Sequence, residues 1–215
     1  MFHIFNAEGL KAFIYTLPAL LISLAIHEFA HAYTAYKLGD NSQKALGRLT
    51  LDPFRHIDWM GFLCIALFGF GWGKPVNVNS RSFKDEKKGM MLTALAGPLS
   101  NFILAIIFTL ILKLLIITGL ISPILNSGAG SILTNMLILA IQFNVVFAVF
   151  NMIPLPPFDG SRVLRYFLPY KVRQSYDMLE RYSFIIIIVF FVTGIGSYII
   201  TPFINLIFKL IMLIL

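Results

Sequence analysis

Two histidines four residues apart, His27 and His31, flank a glutamate in the segment His27-Glu28-Phe29-Ala30-His31. On a helix, i,i+4 spacing puts both imidazoles on one face and leaves the carboxylate of Glu28 beside them. Such a pair offers two nitrogen lone pairs to a zinc ion, with an unligated carboxylate at hand to take up a proton. With four His and four Glu among 215 residues, a chance HExxH string is about a one-in-a-thousand event, so the pattern calls for a metal. The surrounding run, Leu10 to Tyr36, is otherwise apolar. Three ionisable residues inserted there cost roughly 2.5 to 3.5 kcal/mol each, and metal coordination is the compensation these residue types can supply.

A catalytic zinc keeps three protein ligands and one open position, whereas structural sites close all four. The only cysteine, Cys64, excludes both an intramolecular disulfide and a cysteine-based zinc knuckle. That leaves His and carboxylate as the available ligands, with His56 a tempting fourth, and Asp159, in Asn151-Met152-Ile153-Pro154-Leu155-Pro156-Pro157-Phe158-Asp159-Gly160, is the best third ligand. A solvated carboxylate in an Asp-Gly turn is the alternative. One zinc per chain on His27, His31 and Asp159 would acidify water, with Glu28 as general base toward it and proton donor to the leaving amine. The chemistry is metal-assisted amide hydrolysis.

The elements that must hold these residues are membrane spans. The chain is 58% hydrophobic with 21 Phe, well above the roughly 45 to 50% of soluble domains. Apolar runs of spanning length cover about Leu10 to Tyr36, Gly89 to Ile117 and Ile132 to Phe150. The first lacks the basic leader and cleavage site of a signal peptide and is expected to be retained. Trp59 to Trp72 is too short to cross, and its glycines (Gly61, Gly69, Gly71, Gly73) predict a re-entrant element or a β-hairpin packed on protein or on a wet cavity. Ser183 to Leu215 is broken around Gly194 and Pro202, which predicts two short helices. The expected fold is a single all-α polytopic membrane domain over residues 1 to 215, with about five to six transmembrane helices plus the short re-entrant or hairpin element.

Charge orients it. Of 17 Lys and Arg, 14 fall in Lys37 to Arg55, Lys74 to Lys88 and Arg162 to Arg181, and none lies between Gly119 and Ser131. The basic stretches are expected in the cytoplasm and the uncharged loop outside, so the lipid surface accounts for the net charge of +7. No interleaving of basic and aromatic residues suggests a nucleic-acid partner. With this topology the HExxH segment, Ala96-Gly97-Pro98-Leu99-Ser100-Asn101 and the Asn151 to Gly160 segment all fall in the cytoplasmic half of the bilayer.

At these residues the chain resembles the site-2 proteases, zinc metalloproteases that cut transmembrane segments. The resemblance rests on His27-Glu28-x-x-His31, Gly97-x-x-x-Asn101 and Asn151-x-x-Pro154-x-x-x-x-Asp159-Gly160, in that order along nearly the whole chain. It implies zinc on His27, His31 and Asp159, with Glu28 as the catalytic base. It implies that Asn151 holds an unwound substrate strand or the oxyanion, and that Asn101 supports the site with Gly97, Pro154 and Gly160. Asn151 could instead cap its own helix, and Gly97 with Asn101 could be ordinary interhelical packing. His56 is a candidate for substrate contact or support, or a plain hydrogen-bonding loop histidine. The chain has no room for a PDZ-like or nucleotide-sensing domain, so access is expected through the bilayer, the re-entrant element or a regulatory membrane partner.

The function implied is an intramembrane zinc endopeptidase acting on a transmembrane protein substrate in the cell membrane, in regulated intramembrane proteolysis, with its active site toward the cytoplasm. The alternative is a non-catalytic zinc-binding membrane protein, a transporter or sensor. That reading leaves Glu28 without a role and needs a polar path that the apolar outer half-spans do not offer.

Overall fold

A computed structural model describes residues 7–68, 71–125 and 128–215. The terminal His3 and Gly69 of the short apolar stretch lie outside them. The described residues are helical: α1 (Ala7–Lys37), α2 (Ser42–Ala45), α3 (Trp59–Phe68), α4 (Glu86–Ile117), α5 (Ile121–Leu125), α6 (Gly128–Asn151), α7 (Asp159–Phe167), α8 (Tyr170–Leu179), α9 (Ser183–Val192) and α10 (Ile195–Met212). Helices α1, α4 and α6 are long and apolar enough to cross a membrane and coincide with the three runs seen in the sequence. They pack on one another, and α7 lies against α4 while α10 lies against α6 and α4.

Polar and small residues are buried between the helices beside apolar ones, and large aliphatic residues cover much of the outside. Thr16, Ser23, Asn101, Thr109 and Asn144 are almost wholly buried, whereas Ile14, Ile22, Ile103, Ile107, Leu114 and Leu133 are exposed. In hydrocarbon a large aliphatic side chain gains nothing by turning inward, so small and hydrogen-bonding residues take the interhelical positions. Ala105, Leu112, Ile141, Val145 and Ile211 join α4, α6 and α10 in one apolar cluster. Phe13, Leu20, Ile65 and Ala66 join α1 to α3 in another.

The short apolar stretch forms α3, ten residues or about 15 Å, too short to cross. The chain then returns extended, and a single isolated bridge, Ile57 to Gly73, stands where a hairpin would have paired two strands. The last apolar stretch is broken at Gly194, whose φ of +71° is open to glycine at little cost, into α9 and α10, but the break expected at Pro202 is not found, since α10 runs through it for 18 residues. The basic stretch from Arg162 to Arg181, expected only as a loop, holds the amphipathic helices α7 and α8.

Candidate metal centre

His27 and His31 project from α1 onto α4, where Gly97 makes room for them. A Cβ at Gly97 would overlap Nε2 and Cε1 of His31 and Cε1 of His27. The two rings meet edge to face, with centroids 4.6 Å apart. Each is held by its other nitrogen. The Nδ1 of His31 lies 2.7 Å from the carbonyl oxygen of Thr93. The Nδ1 of His27 lies 2.7 Å from Oδ1 of Asn101. The Asn101 amide cannot be turned round, because its Nδ2 donates to the Ser23 carbonyl at 3.1 Å and to Asn144 Oδ1 at 2.9 Å. Asn144, on α6, in turn donates to Ala140 O. Both Nδ1 atoms therefore face pure acceptors and must carry the proton, which leaves both Nε2 atoms of the neutral rings as bare lone pairs.

The end of α6 brings the carboxylate to them. Past Asn151 the prolines 154, 156 and 157 keep the chain from continuing as helix, and it turns directly into α7 at Asp159. Gly160 passes so close under the end of α6 that a Cβ there would overlap the carbonyl oxygens of Met152 and Ile153. The Pro154 carbonyl accepts a hydrogen bond of 2.8 Å from the Tyr176 hydroxyl of α8. The result puts Oδ2 of Asp159 3.2 Å from each histidine Nε2, and the two Nε2 atoms are 3.0 Å apart. Three potential ligand atoms thus converge on one point. Their separations approach the roughly 3.3 Å edge of a tetrahedron with bonds of about 2.0 Å, the geometry of zinc. His27, His31 and Asp159 are the metal-capable cluster among the described residues, and nitrogen and carboxylate donors suit that ion.

These atoms open into a cavity of about 470 Å³ lined also by Glu28, Asn151, Phe147, Phe150 and Trp72. Glu28 is mostly buried and, among the described residues, has no hydrogen-bond or ion-pair partner. Gly73 of the returning segment approaches it, and a Cβ there would stand 3.3 Å from Glu28 Oε1. Asn151 both lines the cavity and bonds its own helix, Nδ2 to Phe147 O at 3.2 Å. Thr93, which also lines the cavity, has a buried hydroxyl with no partner among the described residues.

His56 is fully buried and lies outside the metal cluster. Its Nε2 donates to Thr50 O at 2.8 Å, and its carbonyl accepts from Lys74 N at 2.8 Å, so it supports the segment that carries Gly73. Two further supports were not apparent from sequence. Arg48 donates to the carbonyls of Arg55, Lys74 and Pro75. Asp40 accepts from Ser42 N and Oγ, Gln43 Nε2 and Asn79 N. Burial alone raises the Asp40 carboxyl, but these donors outweigh it and hold its pKa below the ordinary range. Asn144 was missed as well. It reads as one more polar residue in a span, and only its pairing with Asn101 gives it meaning.

Helical spans enclosing two imidazoles, a carboxylate and a free glutamate define a membrane-embedded metallohydrolase. The model of peptidase family M50 matches residues 15–127 and 114–194, and the chain belongs to that family, the site-2 proteases, as an intramembrane zinc metalloprotease. Among the relatives that carry the name "Putative zinc metalloprotease" are the following three. YwhC of Bacillus subtilis is 41% identical over 192 residues, 89% of this chain and 86% of its own. Rip2 of Mycobacterium tuberculosis is 30% identical over 185 residues, 83% of this chain and 67% of its own. MJ0611 of Methanocaldococcus jannaschii is 30% identical over 160 residues, 74% of this chain and 73% of its own. No solved structure matches the chain.

Proposed function

We propose that His27, His31 and Asp159 hold the zinc, that Glu28 is the general base, and that the chain hydrolyses a peptide bond within or near a transmembrane segment of another protein. The observation that carries this reading is the unpartnered Glu28 carboxylate in the same cavity as three converging lone pairs. The ion, when bound, supplies a Lewis acid that polarises the scissile carbonyl and acidifies water. Glu28 accepts the proton of the attacking water and passes it to the leaving amine. Asn101 and Thr93 O fix the imidazoles. Asn151, with one amide proton spent on its own helix, has its oxygen and second proton to orient the unwound strand. Pro154 and Gly160 shape the turn that delivers Asp159.

A helical substrate hides its carbonyls, so it must unwind to react. The extended residues 74 to 79 are anchored by Arg48, Gln43 and Asp40 and offer an edge on which the unwound strand can add by β-pairing. We take residues 1 to 215 as one membrane domain of about five to six membrane helices, α1, α4, α6, α9 and α10 among them, with α3 as the short re-entrant element. In this arrangement the basic segments lie in the cytoplasm, the site opens toward it, and the protein resides in the cell membrane. The bond from Lys113 Nζ to Ile214 O sets the end of α10 beside the C-terminal end of α4, which supports α10 running alongside α4 in the same direction. Regulated intramembrane proteolysis, with a membrane partner that governs access, is the role this architecture suits.

The test is zinc per polypeptide in the purified protein. The unmodified chain and Glu28→Gln should each hold about one zinc, Asp159→Ala should lose it, and Glu28→Gln should cleave about 10² to 10⁴ times more slowly. Full zinc in Asp159→Ala, or full activity in Glu28→Gln, refutes the assignment.

A further inference from the structure

Two residues past Asp159 on the same helix, at Ser161, the chain begins to face a second concavity. It holds about 280 Å³ and is lined by Lys87, Arg162, Arg165 and Arg173 together with Asp177 and Glu180. Its charges are unequally engaged. Arg165 and Asp177 satisfy each other in a two-pronged pair at 2.6 and 2.8 Å. Arg173 donates one Nη2 bond to Leu168 O, and its buried Nε has no partner among the described residues. Arg162 and Lys87, both exposed, make no hydrogen bond or ion pair among the described residues. Four cations thus share two carboxylates: Asp177 is paired with Arg165 and also feels Arg173, Glu180 lies within the field of Arg165, and Arg162 and Lys87 keep their donors unused among the described residues.

Arg162 lines this pocket and the catalytic cavity alike. It stands three residues, one helical turn, beyond Asp159. A polypeptide threaded past the lone-pair cluster therefore reaches Arg162 within a few residues at about 3.3 Å each. Taking the protease reading as its basis, we infer that the Lys87–Arg162–Arg173 pocket receives an acidic side chain of the substrate, on the cytoplasmic flank of the bond that is cut. The paired guanidinium and carboxylate of Arg165 and Asp177 form its rigid wall, and the free cations supply the recognition. The continuity of the two concavities through Arg162 favours a peptide over a lipid headgroup, which would have no reason to span both. Selection follows from the usual bias of membrane proteins. Most cytoplasmic flanks are rich in Lys and Arg, and a basic pocket repels them while admitting the minority that carry Asp or Glu.

The experiment uses the full-length zinc-loaded Glu28→Gln chain in phosphatidylcholine vesicles. Three fluorescent model transmembrane peptides, identical except for a Glu-Glu, Gln-Gln or Lys-Lys cytoplasmic flank, are titrated against it. Two partly exposed charge contacts predict about tenfold tighter binding of the Glu-Glu peptide than of the Lys-Lys peptide, shrinking with added salt. Arg162→Glu should reverse the order, and Lys87→Glu, on a different helix, should reduce it, with zinc content reporting that each variant is folded. Equal affinities for the three flanks overturn the inference, as does a preference that survives both charge reversals. A preference seen in phosphatidylcholine vesicles that is abolished when phosphatidylglycerol is added to them also overturns it and assigns the pocket to lipid. Failure of the protease reading is seen separately, as unmodified chain that cleaves none of the peptides while the order of binding holds.

Discussion

Asn101→Ala tests whether the interior of the bundle tunes the metal. Asn101 is wholly buried and makes three bonds at once, accepting from His27 Nδ1 and donating to Ser23 O and Asn144 Oδ1. Its removal leaves the His27 Nδ1 proton without an acceptor and frees the ring to turn its lone pair away from the other ligands. Loss of such an outer partner weakens metal binding about 10- to 100-fold, which is about 1.4 to 2.7 kcal/mol. The orphaned Asn144 oxygen adds about 1 to 3 kcal/mol to the cost of folding, a separate quantity read from thermal unfolding. Zinc affinity would be measured by competition with a chromophoric chelator in detergent at pH 7.5, beside Thr109→Val. Thr109 is equally buried in α4 but bonds only its own helix, at Ala105 O, so its replacement should leave zinc affinity within about twofold. Asn144→Ala should fall between the two. If Asn101→Ala binds zinc as tightly as Thr109→Val while remaining folded, the proposed orientation of His27 is wrong.

Two further outcomes are expected. Gly97→Ala places a methyl group inside both imidazoles. It should lower zinc affinity about tenfold or more at unchanged helix content by circular dichroism, since relieving such an overlap costs about 1 to 3 kcal/mol. The Asp40 carboxyl is held below its unfolded value, so the stability it confers is complete above about pH 4 and is lost as the pH falls through the folded pKa. Asp40→Asn should accordingly be about 1 to 3 kcal/mol less stable than the unmodified chain at pH 7, and the gap should narrow toward pH 3. A gap that is constant over that range assigns the effect to packing instead of charge.

The metal-capable cluster was legible because the spacing of its histidines is local. His27 and His31 need only the helical period to share a face, and Asp159 declared itself through the prolines that precede it. Convergence in depth followed from charge and length, but contact did not. That depended on Gly97, whose missing side chain admits the rings, and on Gly160, whose missing side chain lets the turn pass under α6. A glycine in sequence does not say what it is making room for. Helices α7 and α8 were hidden because their basic residues dominate the local composition, although their apolar and polar residues segregate on opposite faces. The supports of the returning segment were hidden for a different reason. Asp40 and Asn79 are bonded across 39 positions, and Arg48 and Pro75 across 27, separations that no local pattern encodes.

The order of the ligands along the chain has a temporal consequence. Asp159 is made 128 residues after His31, an interval of about 6 to 26 s at ordinary rates of synthesis. Throughout that interval the first helix already carries Glu28 and both imidazoles into the bilayer, amid the unfinished spans of other nascent proteins. Without the carboxylate at the end of α6 it has only two of the three ligands. On the proposed ligand set, the site therefore stays incomplete until the turn from α6 into α7 has been made.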